Sequence, residues 1–417
     1  MSAMLDWNHV YLKQNPFADT PPRRPEEAVW AGLPRLKGQF ESLFAQALAT
    51  SATQVVLNWG AWGSGKTHAA TYFSLKERLS PLVQAPRVRD ICPIYIRTPK
   101  EPARADQDLY RDIVEALRFS NLRKLIRDLI DERGQEETLQ LLQNNTSSEP
   151  LGKAIWLLGL EPKKHGGQLA LFDDEEVSEE RNQLLESYFF STCTKRDLKE
   201  LGLSRGIDNA QDRFRVLGTL LQCIVGFAPL EKISQHTRLI LWIDELEDLI
   251  YFQSRQYRPF TQGLRDLIDR LPSYLTLLMN FTLATGDYED ATVVLGDALT
   301  SRITHHVYFQ PLSPEETYEY ILELMRCYRS EDFSSKGLQV TYPFEENALR
   351  TLIKTITPLR RIPREINKQC SQVINQALAE GVISEPGVGF ITPDFVTKVI
   401  KTQTALALDA EDLEPLN

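Results

Sequence analysis

Five short apolar runs along the chain predict the strands of one buried sheet. They are rich in Val, Ile, Leu and aromatic residues, and the third shows no polar alternation, as expected for a parallel strand covered on both faces. The runs are Gln54–Trp59, Ile91–Thr98, Leu239–Ile243, Leu275–Thr282 and His305–Phe309. Each is short enough for a strand and is separated from the next by longer stretches of a different pattern.

Between and after these runs, apolar residues recur with helical spacing. Helices are predicted at Leu36–Leu48 and His68–Arg78, and at several places between about 103 and 228. The segment Ser313-Pro-Glu-Glu316 is typical of a helix start, because it combines a capping serine, a proline at the first position and acidic residues in the first turn. After Phe344 the chain is predicted to be mainly helical.

Strands that alternate with helices, followed by a helical C-terminal part, predict an α/β domain joined to an all-α region. The proline-rich residues 1–35 are expected to form an N-terminal arm. Residues 36–310 are expected to form the α/β core, and residues 311–417 a helical lid or C-terminal domain. Within the core, residues from about 103 to 210 exceed what the strand–helix–strand units need, which predicts a large helical insertion.

The composition is that of an ordinary globular protein, with 42% hydrophobic and 25% charged residues in 417. No apolar run approaches the roughly 18–20 residues of a membrane span, and the N-terminus has no secretory signal pattern. The five cysteines form no CxxC pair, which argues against a disulfide framework and a zinc ribbon. We therefore expect a cytoplasmic protein with no membrane association.

One segment matches the phosphate-binding pattern G-x-x-x-x-G-K-[ST] without a departure: Gly60, Ala61, Trp62, Gly63, Ser64, Gly65, Lys66 and Thr67. It lies between a predicted strand and a predicted helix, where inward-facing N–H groups and the helix N-terminus bind phosphate oxygens. Lys66 would reach the β- and γ-phosphates, and Thr67 would ligate Mg²⁺. The adjacent His68 is included in this nucleotide-binding segment, with its side chain expected on the helix surface. The predicted ligands are ATP and Mg²⁺.

A second candidate segment ends the third predicted strand, where Asp244 and Glu245 follow an apolar run. The carboxyl ends of parallel strands open onto the ligand crevice of an α/β sheet. Asp244 is therefore the predicted second Mg²⁺ ligand. Glu245 is the residue predicted to orient or deprotonate an attacking water molecule.

These two motifs, in this order, resemble those of the AAA+ ATPases. The resemblance is to the clamp-loader, origin-recognition and transposition-regulator branches and to ATP-binding proteins of bacterial defence systems, and it covers about 36–100 and 236–380. It implies an AAA+ core with a helical lid. It also implies that Asn280, on the fourth predicted strand, senses the γ-phosphate and places the water, with Thr285 as the competing choice.

The same resemblance assigns roles to two arginines. Arg302 lies in a Ser-Arg stretch before the fifth predicted strand, similar to the arginine that acts across a subunit interface in this family. Arg364 lies at the start of the lid helix, where the family carries its second sensor of the γ-phosphate, and Arg360 and Arg361 are alternatives. Asn15–Phe17 resembles the segment that runs into the adenine pocket.

The resemblance implies a homo-oligomer, ring or helical, that hydrolyses ATP to ADP and phosphate. It would act as a switch or motor on DNA or DNA-bound partners, in a mobile-element, defence or genome-maintenance role. A partner protein would bind through the helical insertion or the C-terminal region. Basic residues of the insertion are candidates for DNA contact, although a net charge of −10 disfavours non-specific binding; they are Arg118, Arg123, Lys124 and Arg127.

Two other functional classes use the same loop. A STAND-like signalling scaffold, which recruits an effector and turns ATP over slowly, is the alternative interpretation. A P-loop kinase is disfavoured, because an adjacent Asp-Glu pair suits the activation of water and no acceptor-site signature is evident.

Overall fold

The computed structural model describes residues 6–18, 20, 22, 24–84, 88–160, 174–227, 236–283 and 288–411. The chain divides into two compact units. The first comprises residues 1–40, 60–72 and 308–417, and the second comprises residues 41–59 and 73–307. This division groups the N-terminal segment with the C-terminal helices, a relation that the order of elements does not show. The domain limits at 35 and 310 stay a prediction.

The sheet has five strands in the spatial order β2-β3-β4-β1-β5. They are β1 Gln54–Gly60, β2 Val88–Arg97, β3 His236–Asp244, β4 Leu275–Thr282 and β5 His305–Phe309. Strand β3 pairs in parallel with β2 and with β4, so that Trp242 lies opposite Tyr95 on one side and Leu278 on the other. Almost every residue of β3 and β4 is buried, as expected for strands covered on both faces.

All five predicted strands are confirmed. The limits of β4 and β5 are those predicted, whereas β2 begins at Val88, three residues before the apolar run. The early start has a tertiary cause, because Val88 and Asp90 pair with His236 and Thr237 of β3 although their own stretch is polar. The α/β fold class predicted from the sequence is confirmed by this sheet and the helices around it.

Seventeen α-helices lie within the described ranges. They are α1 Pro34–Ala49, α2 Lys66–Phe73, α3 Lys76–Leu79, α4 Ala105–Leu117, α5 Phe119–Arg133, α6 Gln135–Thr146, α7 Glu149–Gly159, α8 Asp174–Phe189, α9 Lys195–Glu200, α10 Ala210–Val225, α11 Ser254–Arg270, α12 Tyr288–Leu295, α13 Asp297–Thr300, α14 Pro314–Tyr328, α15 Glu346–Thr355, α16 Pro363–Ala379 and α17 Pro393–Glu411. None of the helices in these ranges is both long and apolar enough to cross a bilayer.

Helices α4 to α9 lie within residues 103–210, so the segment predicted as an insertion has the helical character that was predicted for it. Helix α10 follows and precedes β3. Helix α4 packs against β2, and α10 packs against β3. Their apolar faces are fully buried, for example at Ile113 of α4 and Leu217 of α10. The insertion and the sheet share one hydrophobic core, so the added helices are part of the second unit and not an appendage to it.

The first unit has its own hydrophobic core, formed by the C-terminal helices and the N-terminal segment. Phe17 and Ile321 are buried in the same cluster. The N–H of Lys13 donates to the carbonyl of Tyr328 at 2.9 Å, and the N–H of Ser330 donates to the carbonyl of Tyr11 at 3.0 Å. The predicted arm is therefore bound along the end of α14 by backbone hydrogen bonds.

Two predicted helix limits have different outcomes. The start of α14 is confirmed, since Ser313 and Glu316 form a reciprocal capping box across the first turn. The helix predicted over His68–Arg78 is wrong beyond Phe73, because Leu75 is extended and a separate short helix begins at Lys76. The apolar spacing continues through this break, so the periodicity alone did not reveal it.

Candidate functional site

The phosphate-binding motif forms a loop that joins a strand to a helix. Strand β1 ends at Gly60 and α2 begins at Lys66. Gly63 and Gly65 have φ values of +81° and +103°, a region that residues with a Cβ rarely adopt. The glycines therefore permit the turn that directs backbone N–H groups toward a phosphate, at the positive end of α2.

Lys66 folds back over this loop. Its Nζ donates to the carbonyl of Gly60 at 2.9 Å and to that of Ala61 at 3.0 Å, and the residue is 6% exposed. An ammonium group held among loop carbonyls adds a positive charge to the amides of the helix N-terminus. The arrangement is suited to bind the oxygens of a di- or triphosphate.

Thr67 and His68, the two residues after Lys66, make different contacts. Thr67 lies in the first turn of α2, and its carbonyl accepts a hydrogen bond from Thr71. The Nε2 of His68 lies 2.8 Å from the carbonyl oxygen of Val29. The predicted ligand role of Thr67 stays a prediction, and the His68 ring contacts the N-terminal segment of the first unit.

Arg364 lies directly against the phosphate-binding loop. Its N–H donates to the carbonyl of Gly63 at 3.2 Å, and its guanidinium carbon is 5.1 Å from the centroid of the Trp62 ring. The two alternatives have other partners, since Arg360 donates to Glu365 at 2.8 Å and Arg361 donates to the carbonyl of Ile356 at 3.2 Å. Of these three arginines, the geometry favours Arg364 as the residue that would reach a phosphate.

The N-terminal segment predicted to approach the adenine is held on α16, the helix that carries Arg364 in its first turn. Asn15 donates to the Ser371 hydroxyl at 2.9 Å, and Asn367 donates to the carbonyl of Ala18 at 2.9 Å. Phe17 is 1% exposed. These contacts fix the segment within the first unit, and its role toward a base stays a prediction.

In the second unit, a chain of buried polar groups crosses three strands. Asn280 of β4 donates through Nδ2 to Oδ1 of Asp244 on β3 at 2.9 Å, and its Oδ1 accepts from Nδ2 of Asn58 on β1 at 2.9 Å. Asn58 and Asn280 are 0% exposed and Asp244 is 2% exposed. Buried amides are costly unless they are hydrogen-bonded, so these three side chains constrain one another.

Asp244 is also held from the other side, by Tyr95 of β2 and by Thr98, which follows that strand. The Tyr95 hydroxyl donates to its Oδ2 at 2.9 Å, and the Thr98 hydroxyl donates to its carbonyl oxygen at 2.7 Å. Burial and the nearby Asp244 charge raise the pKa of Tyr95 far above its usual value, so the hydroxyl stays a hydrogen-bond donor. The carboxylate of Asp244 is therefore oriented by both neighbouring strands.

Glu245 follows in a left-handed conformation, with φ of +63°. Such strain in a residue with a side chain is uncommon and is typical of functional sites. Burial raises the pKa of Glu245; the opposing influence is Arg97, whose Nε lies 4.0 Å from the carboxylate. Glu245 is thus a partly buried carboxylate with a raised proton affinity, as a general base requires.

Arg302 lies just after α13 and is bound within its own chain. Its guanidinium donates to both carboxylate oxygens of Asp269 on α11, at 2.7 and 2.9 Å. This contact lowers the pKa of Asp269. Arg302 would have to leave this partner in order to act on another subunit, and the predicted role across an interface stays a prediction.

The residues at the end of β3 fit a magnesium ion that is bound together with a nucleotide. The described residues contain no group of three or more His, Cys, Asp or Glu side chains arranged as a metal site. Mg²⁺ needs no such cage, because it keeps several waters and binds one or two protein groups plus phosphate oxygens. The carboxylate of Asp244 accepts three hydrogen bonds, which leaves acceptor capacity on a group that has about four lone-pair sites.

Sequence reasoning missed Asn58, Tyr95 and Arg97. Asn58 had a signal, because it is a polar residue within the apolar run that leads into the phosphate-binding loop. Its Oδ1 is buried and has no hydrogen-bond partner among the described residues. Tyr95 and Arg97 gave no comparable signal in a strand of mixed residues. The competing choice Thr285 lies outside the described residues.

The parallel pairing of β2, β3 and β4 and the loop between β1 and α2 together define a P-loop protein of the α/β class. The likeness to AAA+ ATPases stays a resemblance of the sequence motifs. The chain matches no protein-family profile. It also matches no curated protein.

Three of the solved structures to which the chain is similar are as follows. Drosophila ORC bound to DNA aligns with 96% of this chain and 66% of its own, at 11% identity and a TM-score of 0.47. The Aeropyrum pernix ORC1 protein in complex with DNA aligns with 91% of this chain and 69% of its own, at 10% identity and a TM-score of 0.44. The Thermotoga maritima RuvB Holliday junction branch migration motor aligns with 92% of this chain and 73% of its own, at 14% identity and a TM-score of 0.39.

This chain therefore spans between 66% and 73% of the length of these proteins. Because the TM-scores lie below 0.5, what the chain does has to be inferred from its own residues.

Proposed function

We propose that the chain binds ATP with Mg²⁺ and hydrolyses it to ADP and phosphate. The loop Gly60–Thr67 would bind the phosphates, and Thr67 and Asp244 would ligate the ion. When bound, Mg²⁺ neutralises charge that develops on the phosphate oxygens. Glu245 would take the proton of the attacking water.

The observation that carries this proposal is the fully buried Asn280, which bridges Asn58 and Asp244 by hydrogen bonds of 2.9 Å each. An apolar residue at this position would pack in the sheet at lower cost, since buried amides need full hydrogen bonding. The linked amide pair instead orients the carboxylate of Asp244, the group that would ligate Mg²⁺.

The first test separates binding from hydrolysis. Lys66→Ala should abolish ATP binding, because it removes the positive charge within the loop. Glu245→Gln should retain ATP binding and lose turnover by at least about a hundredfold, the usual contribution of a general base. Binding is measured by calorimetry and turnover by phosphate release. A Glu245→Gln variant that hydrolyses ATP at the wild-type rate would show that the base is assigned wrongly.

We also propose that the active form is a homo-oligomer in which Arg302 of one subunit acts on the nucleotide of the next. Arg302 is surface-accessible in part and already binds an anionic group, the carboxylate of Asp269. Guanidinium groups that bind carboxylates in a forked geometry bind phosphate in the same way. Exchange of Asp269 for a neighbour's γ-phosphate would then link assembly to ATP.

DNA or a DNA-bound protein is the proposed target. The basic residues of the insertion lie at or near the surface on and beside α5; they are Arg118, Arg123, Lys124 and Arg127. ATP turnover with and without double-stranded DNA, over a range of salt concentrations, tests this part. Stimulation that disappears with rising salt is expected for phosphate contacts. Turnover that DNA leaves unchanged at low salt would favour a protein target.

One observation favours the STAND-like scaffold as a second candidate. Arg302 is held by a bidentate contact with Asp269, which would keep turnover slow in the isolated subunit. Single-turnover and steady-state rates at increasing protein concentration distinguish the two functions. A motor or switch gains activity as it assembles, whereas a scaffold assembles and stays slow.

A further inference from the structure

Trp62 lies in the phosphate-binding loop, but the binding of phosphate by the loop does not require a tryptophan at this position. It occupies a variable position of the motif, and its side chain is 74% exposed. Burial therefore does not account for an indole at this position.

The contact that Trp62 makes is with Arg364. The guanidinium carbon lies 5.1 Å from the ring centroid, within the roughly 6 Å limit of a cation–π contact. A Cβ placed on Gly63 would lie 2.6 Å from the Cβ of Arg364, which shows how closely the loop and the start of α16 approach each other. The backbone of Arg364 is thus fixed to the loop, and only the long end of its side chain remains to be oriented.

We propose that Trp62 is a positioning residue, which orients Arg364 by holding its guanidinium against the indole. This inference rests on the proposed function, ATP binding and hydrolysis, and adds to it the role predicted from the sequence for Arg364, which is to act on the γ-phosphate. A flexible arginine in water samples many rotamers, and an aromatic face on which it stacks restricts them. The effect should be confined to ligands that carry a γ-phosphate, because the rest of the loop binds the other phosphates.

The test introduces Trp62→Leu into the wild-type protein and into the Arg364→Ala variant, and compares the effect of this substitution in the two backgrounds. In the wild type it should lower kcat about two- to fivefold, the range that an exposed cation–π contact corresponds to, and leave the affinity for ADP unchanged. In Arg364→Ala it should have no further effect, since the group that Trp62 orients is gone. Trp62→Phe should restore most of the loss, and Val340→Ala, at another exposed apolar residue of the first unit, serves as the control.

An equal loss in both backgrounds, or no loss in the wild type, would overturn the proposal. Tryptophan emission without nucleotide gives a second readout that does not depend on ATPase activity. The Trp62 signal, taken as the difference between wild type and Trp62→Phe, should change on Arg364→Ala. If the protein bound no ATP, the proposed function would fail, but the Trp62 signal would still show whether Trp62 and Arg364 interact. A Trp62 signal that Arg364→Ala leaves unchanged would refute their interaction.

Discussion

At the residue scale, Glu245 and Arg97 make the pH dependence of turnover a direct probe of the site. Burial raises the pKa of Glu245, and the nearby Arg97 lowers it. Because a general base must be ionised, turnover should fall as the pH drops through this raised pKa. Arg97→Gln removes the opposing positive charge, so the pKa should rise further and the acid limb of the pH–rate profile should move to higher pH.

Arg97→Lys is the matched control for this experiment, because it retains the charge. Its acid limb should stay near that of the wild type. An acid limb that Arg97→Gln leaves in place, or moves to lower pH, would contradict the assignment of Glu245 as the titrating base.

Tyr95 should affect magnesium and not the nucleotide itself. Tyr95→Phe removes one of the hydrogen bonds that orient the Asp244 carboxylate. Loss of such an outer partner typically weakens a metal site by about tenfold, so the Mg²⁺ concentration for half-maximal turnover should rise by about that factor. Tyr188→Phe is the control, since its buried hydroxyl has no hydrogen-bond partner among the described residues. Equal magnesium dependence in both variants would exclude this role.

At this scale, the sequence predicted those residues whose chemistry is local. Lys66, Thr67 and Glu245 follow from short motifs, because a glycine loop or a strand end requires particular neighbours in the chain. The hydrogen-bond partners of Asp244 could not be predicted from short motifs, since Tyr95 is 149 positions away and only the pairing of β2 with β3 brings it close.

At the element scale, α1 offers a clean test of helix stability. Gly38 lies within α1, and a Cβ added there would meet no atom within 4 Å. Gly38→Ala should therefore raise the free energy of unfolding by about 1 kcal/mol, because glycine loses more backbone entropy in a helix than alanine does. Urea denaturation measures the change.

Gly32 provides the opposite case in the same unit. Its φ is +56°, and an added Cβ would lie 2.8 Å from the Cα of Tyr320. Gly32→Ala should lower the stability, because it introduces both strain and a clash with backbone. Similar shifts in the same direction for the two variants would contradict the placement of these glycines.

The order of strands and helices was predictable because apolar periodicity is a local property of the chain. All five strands were found from it, and the helical insertion was found as excess length between two motifs. The helix break after Phe73 and the early start of β2 were not found from the periodicity, since both depend on contacts with other elements.

At the scale of the whole molecule, the proposed assembly predicts a change of particle size with nucleotide. Glu245→Gln, which should hold ATP unhydrolysed, is expected to form oligomers in ATP and smaller particles in ADP. Light scattering coupled to gel filtration measures the mass. A monomer mass under saturating ATP would contradict the oligomer and leave ATP binding itself unaffected.

A mixing experiment tests whether Arg302 acts between subunits. Arg302→Ala alone should lose about a thousandfold in turnover, as expected for an arginine that stabilises the transition state. Mixed with Glu245→Gln, which keeps its arginine, it should regain part of the activity, because each variant supplies what the other lacks. No recovery in a mixture that forms mixed oligomers would place the action of Arg302 within its own subunit or exclude it.

The sequence by itself determined the order of the strands and helices and the phosphate-binding loop, because both depend on residues that are close together in the chain. Only the tertiary structure decided which side chains complete each half of the candidate site. Asn58 and Asn280 are 222 positions apart and meet because β4 lies between β1 and β3, and Arg364 meets Trp62 because α16 begins against the loop. Such contacts follow from how strands and helices pack side by side, which no local pattern of residues specifies.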